Sequence, residues 1–380
     1  MSGRPLIVEN ARIVDPASGF DAVGALRVEG GRIAAVSAGA AQGAPEGAIR
    51  VDAKGLVLAP GLVDLRVFTG EPGREYRETL QSAGEAAAAG GVTSFLAMPD
   101  TQPAIDDGAL VDYLARRAQA TCKVRVLPAA AITKGLKGEE ITEFGLLREA
   151  GAVAFTDGRH SIQSSAVLRS AFSYAANFDM PVLHHVRDNA LAGEGVMNDS
   201  LFASVLGLKG IPGVAETIPL ARDLELAAAT GVRYHAAQVS TARSVELLAD
   251  AKRRSGNVSA GVSINNLSLN ENDVGAYRTF FRLNPPLRSE DDRRAMIEGL
   301  RSGAIDTIHS DHDPQDTEVK RQPFAEASDG AIGLETMLAA ALRLHHSGDI
   351  DLMTLLRAMT IRPAEILGLA QGFSSGRGGS

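Results

Sequence analysis

Two positions on one short strand decide what chemistry this chain can do. Residues i and i+2 of a β-strand face the same side, so a histidine pair at that spacing can hold one metal ion at a strand end. In Pro60-Gly61-Leu62-Val63-Asp64-Leu65-Arg66-Val67-Phe68 those positions carry Arg66 and Phe68. A guanidinium has no lone pair to give and a phenyl ring has no donor atom, so neither is a metal ligand. The frame of a metal-hydrolase strand is present without its ligands. Elsewhere polar residues fall at predicted strand ends: Asp157, His184 and His185, Gln238, Asn265 and Asn266, then His309, Asp311, His312 and Asp313. Carboxylates and imidazoles converging on one place could generate a metal-bound hydroxide and polarise a carbonyl. The competing reading is that they are hydrogen-bonded rim residues, or partners for Arg66, whose charge demands a carboxylate if buried.

Those residues must be positioned by a repeating unit in which a helical stretch ends at a glycine and an apolar strand follows at once. Gly91, Gly151, Gly231, Gly256 and Gly303 each precede such a strand. Glycine takes the left-handed conformation that lets a chain leave a helix and turn into a sheet. With Leu62–Val67, Val124–Leu127 and Pro181–His184 the count reaches eight strands, and the spacing predicts an α/β fold, a (β/α)₈ TIM-type barrel. Periodicity alone does not show closure, and an open doubly wound sheet is the alternative. Before the barrel, Leu6–Val8, Arg12–Val14, Ala25–Val28 and, after a Gly30-Gly31 turn, Arg32–Val36 read as a small antiparallel sheet. The domain reading is residues 1–58 as an N-terminal β-sandwich segment, 59–347 as the barrel, and 348–380 as a C-terminal helix and glycine-rich tail.

With 38 basic and 46 acidic side chains among 380 residues the chain carries −8 and no evident basic stripe, which argues against nucleic-acid binding. Cys122 is the only cysteine, so an intramolecular disulfide and a thiolate zinc cage are both excluded. No apolar run approaches transmembrane length. A cytoplasmic protein is expected.

Several segments taken together resemble the dihydroorotase branch of the amidohydrolase superfamily, from about Pro60 to about Leu369. They are Pro60-Gly61-Leu62-Val63-Asp64, Glu71-Pro72-Gly73, Ala97-Met98-Pro99-Asp100-Thr101, Gly195-Val196-Met197-Asn198, Asn284-Pro285-Pro286-Leu287-Arg288, Ser310-Asp311-His312 and Gly333-Leu334-Glu335-Thr336. The resemblance implies a barrel with a small β-sandwich built from both chain ends, and one or two zinc ions that hydrolyse the cyclic amide of dihydroorotate reversibly. Carried over by position, it places the lost His-x-His pair at Arg66 and Phe68 and a lost histidine at Gln238. It keeps a bridging carboxylate at Asp157, a histidine at His185 and the general-base carboxylate at Asp311. The glutamate near His185 has become Arg187, the substrate-binding arginine has become Gly70, an asparagine contact has become Asp100 and a histidine has become Gln315, while Asn284 remains as a substrate contact. The polar tail Gln371–Ser380 suits no core strand, so the sandwich is expected to be incomplete or the sequence truncated.

Catalytic zinc normally has about three protein ligands, and no combination of Asp157, His185 and Asp311 at one site reaches that number here. No cofactor is therefore expected, and no intact catalytic residue beyond the remnant Asp311. The resemblance implies a non-catalytic partner of aspartate carbamoyltransferase in pyrimidine biosynthesis, within a homo- or hetero-oligomer. Two alternatives stay open: a working zinc-dependent cyclic amidohydrolase with a rearranged site, drawing on His160, His184, His185, His309, Asp311, His312 or Asp313, and a binding module that keeps a pocket without turnover.

Overall fold

A computed structural model of the chain describes residues 4–41, 43 and 45–369. Strands β1 (Leu6–Asp15), β2 (Phe20–Glu29) and β3 (Arg32–Ala38) form an antiparallel meander, and β4 (Ile49–Asp52) and β5 (Val57–Leu58) pair parallel with β1. The two strands read at Leu6–Val8 and Arg12–Val14 are one strand. Its register shifts between Glu9 and Ala11, where Asn10 takes φ 61°. The extra residue keeps Val8 on the same apolar face as Ala11 and Ile13, which cluster with Phe20, Val36 and Leu58. All five strands come from the N-terminal end. Among the described residues no C-terminal strand joins them, because the chain there is helical at Leu352–Met359 and Ile361–Ile366. The tail Gln371–Ser380 lies outside the described residues.

The barrel strands are β6 (Leu62–Val67), β7 (Val92–Ala97), β8 (Arg125–Ala130), β9 (Ala154–Phe155) and β10 (Pro181–His184). After a short parallel pair in a connecting segment, β11 (Met197–Asn198) with β12 (Gly210–Ile211), come β13 (Arg233–Ala236), β14 (Val258–Ser263) and β15 (Thr307–His309). Neighbours pair parallel in sequential order from β6 to β15. Closure follows from the last contact: Phe68 N donates to His312 O at 2.9 Å, and Val67 bridges His312. Asp64 fastens the seam, accepting from Arg66 N at 3.0 Å and Ser310 N at 3.1 Å. An open sheet is thereby excluded.

The helix-to-strand glycines act as their spacing predicts at Gly231 and Gly303, which cap helices Val214–Thr230 and Glu290–Ser302 with φ 71° and 79°. Gly256 differs. The preceding helix ends at Ser255 in an extended conformation, so no left-handed residue is needed there. Inside the barrel Leu65, Leu96, Leu127, Ala129 and Leu183 pack in one cluster with Ile366 and Leu367. The larger core lies between strands and helices and includes Val92, Phe95, Phe155, Val182 and Tyr234. The interior is filled with side chains, so chemistry is confined to the polar mouth at the strand ends. Among the described residues no helix is long and apolar enough to cross a membrane.

Candidate functional site

At the mouth, β6 delivers Arg66, the position where the resemblance implies a lost imidazole. Its Nε donates to Asp311 Oδ1 at 2.8 Å and its Nη1 to the Gly158 carbonyl at 3.3 Å. Both partners of the ion pair are close to nine-tenths buried, with side-chain exposures of 10% and 12%. Gln238, from the segment after β13, donates its Nε2 to Asp311 Oδ2 at 3.2 Å. Burial pushes the Asp311 carboxyl up, but the charges and hydrogen bonds around it, Arg66 foremost, hold it below the ordinary carboxylate value. The Asp311 carboxylate is therefore an ion-paired, ionised group.

Asp157 lines the mouth and is held by the loop after β8. Its Oδ1 accepts from Ile132 N at 2.8 Å and Thr133 N at 3.0 Å, and its Oδ2 from Thr133 Oγ1 at 2.5 Å. The carboxylate therefore ties β9 to the loop after β8. Gly158 is the neighbour that meets Arg66, and a Cβ there would lie 2.6 Å from the Asp100 side chain. His185 is buried with both ring nitrogens lacking a hydrogen-bond partner. Burial first, then the charges of Arg66 and Arg187, hold its pKa well below the ordinary histidine value. It is a neutral imidazole without a carboxylate beside it.

The remaining strand-end residues are held by separate partners. His184 Nδ1 donates to Asp223 Oδ2 at 2.6 Å, and its Nε2 accepts from Ile162 N at 2.9 Å. His312 Nε2 donates to Glu78 at 3.0 Å, and His309 is buried, which lowers its pKa to about 4. Asn265 and Asn266 lie on a short helix, Ile264–Ser268, beyond β14, where Asn266 bonds the Pro286 carbonyl at 3.1 Å. His160 is exposed. Phe68 is buried, and the Arg77 guanidinium stacks 4.1 Å from its ring centre. Arg77 also pairs with Asp313 at 2.5 Å, and Arg159 bridges Asp313 and Asp100.

Zinc does not fit this set. Among the described residues no three His, Cys, Asp or Glu side chains come together in a way that could hold a metal ion. A divalent ion near Arg66 would also meet its fixed cation, costing several kcal/mol at ~4 Å and an effective dielectric of about 20. The substrate side is altered too. Gly70, where the resemblance implies a lost arginine, has φ 69°, and a Cβ there would lie 2.0 Å from the Glu78 carbonyl. Asn284 accepts from Arg187 Nη1 at 2.8 Å, and Gln315 donates to Asp313 at 3.0 Å.

Sequence reasoning missed the arginines at 77 and 159 and read Arg187 only as a lost glutamate. Arg159 pairs with Asp313 across more than a hundred residues of chain, which local spacing does not reveal. The available signal was the surplus of strand-end carboxylates once the metal was gone.

An eight-stranded barrel with its polar residues at the strand ends defines the class, an amidohydrolase-type fold. Residues 55–244 match the "Dihydro-orotase-like" family. A dihydroorotase of Anaeromyxobacter sp. strain K is 42% identical across 97% of this chain and 85% of its own length, and one of Syntrophotalea carbinolica is 41% identical across 97% and 86%. The chain belongs to the dihydroorotase-like family. The solved L-hydantoinase of Arthrobacter aurescens shares the fold, with a TM-score of 0.88 at 24% identity over 99% of this chain and 85% of that one.

Proposed function

We propose that the protein is a non-catalytic member of its family which serves pyrimidine biosynthesis as a structural or regulatory partner of aspartate carbamoyltransferase. The observation that carries the non-catalytic part is the Arg66–Asp311 ion pair standing in the frame of the metal site. A hydrolase of this type needs an activated water and a polarised carbonyl. Here the base is paired with a guanidinium, and the carboxylate at the bridging position, Asp157, is taken up by Ile132 and Thr133. The partner rests on the resemblance: inactive dihydroorotase-like chains accompany bacterial aspartate carbamoyltransferases, and a preserved shell with altered chemistry suits that role. Assays of dihydroorotate hydrolysis and of its reversal are expected to give no turnover above an empty-vector background. Co-expression with aspartate carbamoyltransferase is expected to give one co-eluting complex. Turnover by the wild-type chain would overturn the first part, and separate elution at micromolar concentration the second.

A zinc-dependent cyclic amidohydrolase is the second reading, favoured by the name that relatives at 40–42% identity carry. It requires a ligand arrangement different from the one described above.

A further inference from the structure

Arg187, where the resemblance places a lost glutamate, has no carboxylate within ion-pair distance among the described residues. It follows β10 and is partly buried. Its side chain makes one hydrogen bond, from Nη1 to Asn284 Oδ1 at 2.8 Å. That bond orients the guanidinium and turns the Asn284 amide so that its Nδ2 protons point away from it, and among the described residues Nε and Nη2 of Arg187 and Nδ2 of Asn284 have no acceptor. Both residues line a cavity of about 590 Å³ at the barrel mouth, together with Lys137, Arg159, Ser161 and Asp329. They also line a narrow crevice with His185.

Acidic groups on the same cavity leave this cation free. Asp157 is bound by Ile132 and Thr133. Asp329 is the carboxylate whose field reaches Arg187, and it is bonded to Arg282 at 3.0 Å. Glu139 is exposed on the loop that carries Lys137. Arg159 is matched by Asp100 and Asp313. A partly buried guanidinium with two free donor groups in a fixed plane is built to receive two oxygens of one anion, and such bidentate contacts are stronger than those between neutral groups.

We propose that the mouth binds a small-molecule oxyanion, a carboxylate or a phosphate, seated between Arg187 and Asn284 with Lys137 as a second cation. The pocket is carried by Arg187, a position where the resemblance implies a carboxylate. It stands independently of partnership and of catalysis: turnover and co-elution test the proposed function, and anion binding tests this site alone.

The test is calorimetric titration of the full chain with inorganic phosphate and with succinate, at constant ionic strength set by chloride. Arg187→Gln, Lys137→Gln and Asn284→Ala are compared with Arg116→Gln, an exposed surface control. One saturable site per chain is expected for at least one of the two anions in wild type and Arg116→Gln. The two source chemistries are distinguished by which anion binds. Affinity should fall by about tenfold or more in Arg187→Gln and by less in Lys137→Gln. Should Arg187→Gln fail to fold, Lys137→Gln, altered only at an exposed side chain, together with Asn284→Ala carries the comparison. Absence of saturable binding by both anions at about 10 mM, or equal affinity in wild type and in the folded pocket variants, would overturn the proposal.

Discussion

Replacing Arg66 with methionine tests the ion pair where its consequences are largest. The substitution keeps an apolar stem and removes the cation 2.8 Å from Asp311, leaving a buried carboxylate with only Gln238 as a donor. At ~4 Å and an effective dielectric of about 20 the attraction between the charges is about 4 kcal/mol, and breaking one partner of a buried pair typically costs about 3–5 kcal/mol. The loss should depend on pH. In wild type Asp311 titrates below the ordinary carboxylate value, so it contributes stability above that range which is lost as pH falls through its folded pKa. In Arg66→Met burial is opposed chiefly by His309 and Gln238 and shifts the carboxyl upward from its wild-type position, so the variant loses stability relative to wild type as pH rises. Urea denaturation at about pH 5 and about pH 7.5 should therefore show a gap from wild type that widens at the higher pH. The double variant Arg66→Met/Asp311→Asn removes both charges and should recover most of the loss, as asparagine tolerates the left-handed backbone at this position, φ 53°. Equal stability of wild type and Arg66→Met at both pH values would refute the reasoning.

Asp64, fully buried, has a pKa raised to about 6, chiefly by burial. Its contribution is complete below the unfolded value near 4 and is lost as pH rises through about 6, and Asp64→Asn should flatten that part of the stability profile in denaturant titrations. Restoring the family arginine through Gly70→Arg should destabilise rather than repair, by several kcal/mol, because φ is 69° and the Glu78 carbonyl occupies the space a Cβ needs. A soluble variant with an unchanged thermal midpoint would contradict this. Asp157→Ala should cost about 2–4 kcal/mol with or without added zinc, by stranding the Ile132 and Thr133 donors. Dependence of that loss on zinc would assign the carboxylate to a metal.

The barrel was legible because each of its strands announces itself locally: Val92, Ala152, Val232 and Ala304 follow glycines that end helices, and an apolar run needs no distant partner to be recognised. The N-terminal sheet was legible in its hairpin at Gly30-Gly31 but not in its bulge, since Asn10 looks like a turn until both flanking segments are seen to pair with β2. At the mouth, the chemical poverty of Arg66 and Phe68 could be read directly, because it follows from residue type alone. Orientation could not. Asp157, where the resemblance implies a bridging ligand, is bonded to the loop after β8, and only the three donors on Ile132 and Thr133 reveal it. Arg77, Arg159 and Arg187 acquire meaning from carboxylates and amides far along the chain, so their roles emerge only when closure of the barrel brings the strand ends together.

The central claim, that an arginine–carboxylate pair stands where a catalytic metal would, is tested most directly by counting zinc. Full-length protein expressed with zinc supplied, purified without chelator and subjected to elemental analysis should contain well below one zinc per chain. The triple variant Arg66→His/Phe68→His/Gln238→His, prepared in parallel, should contain more. One or two tightly held zinc ions per wild-type chain would contradict the account.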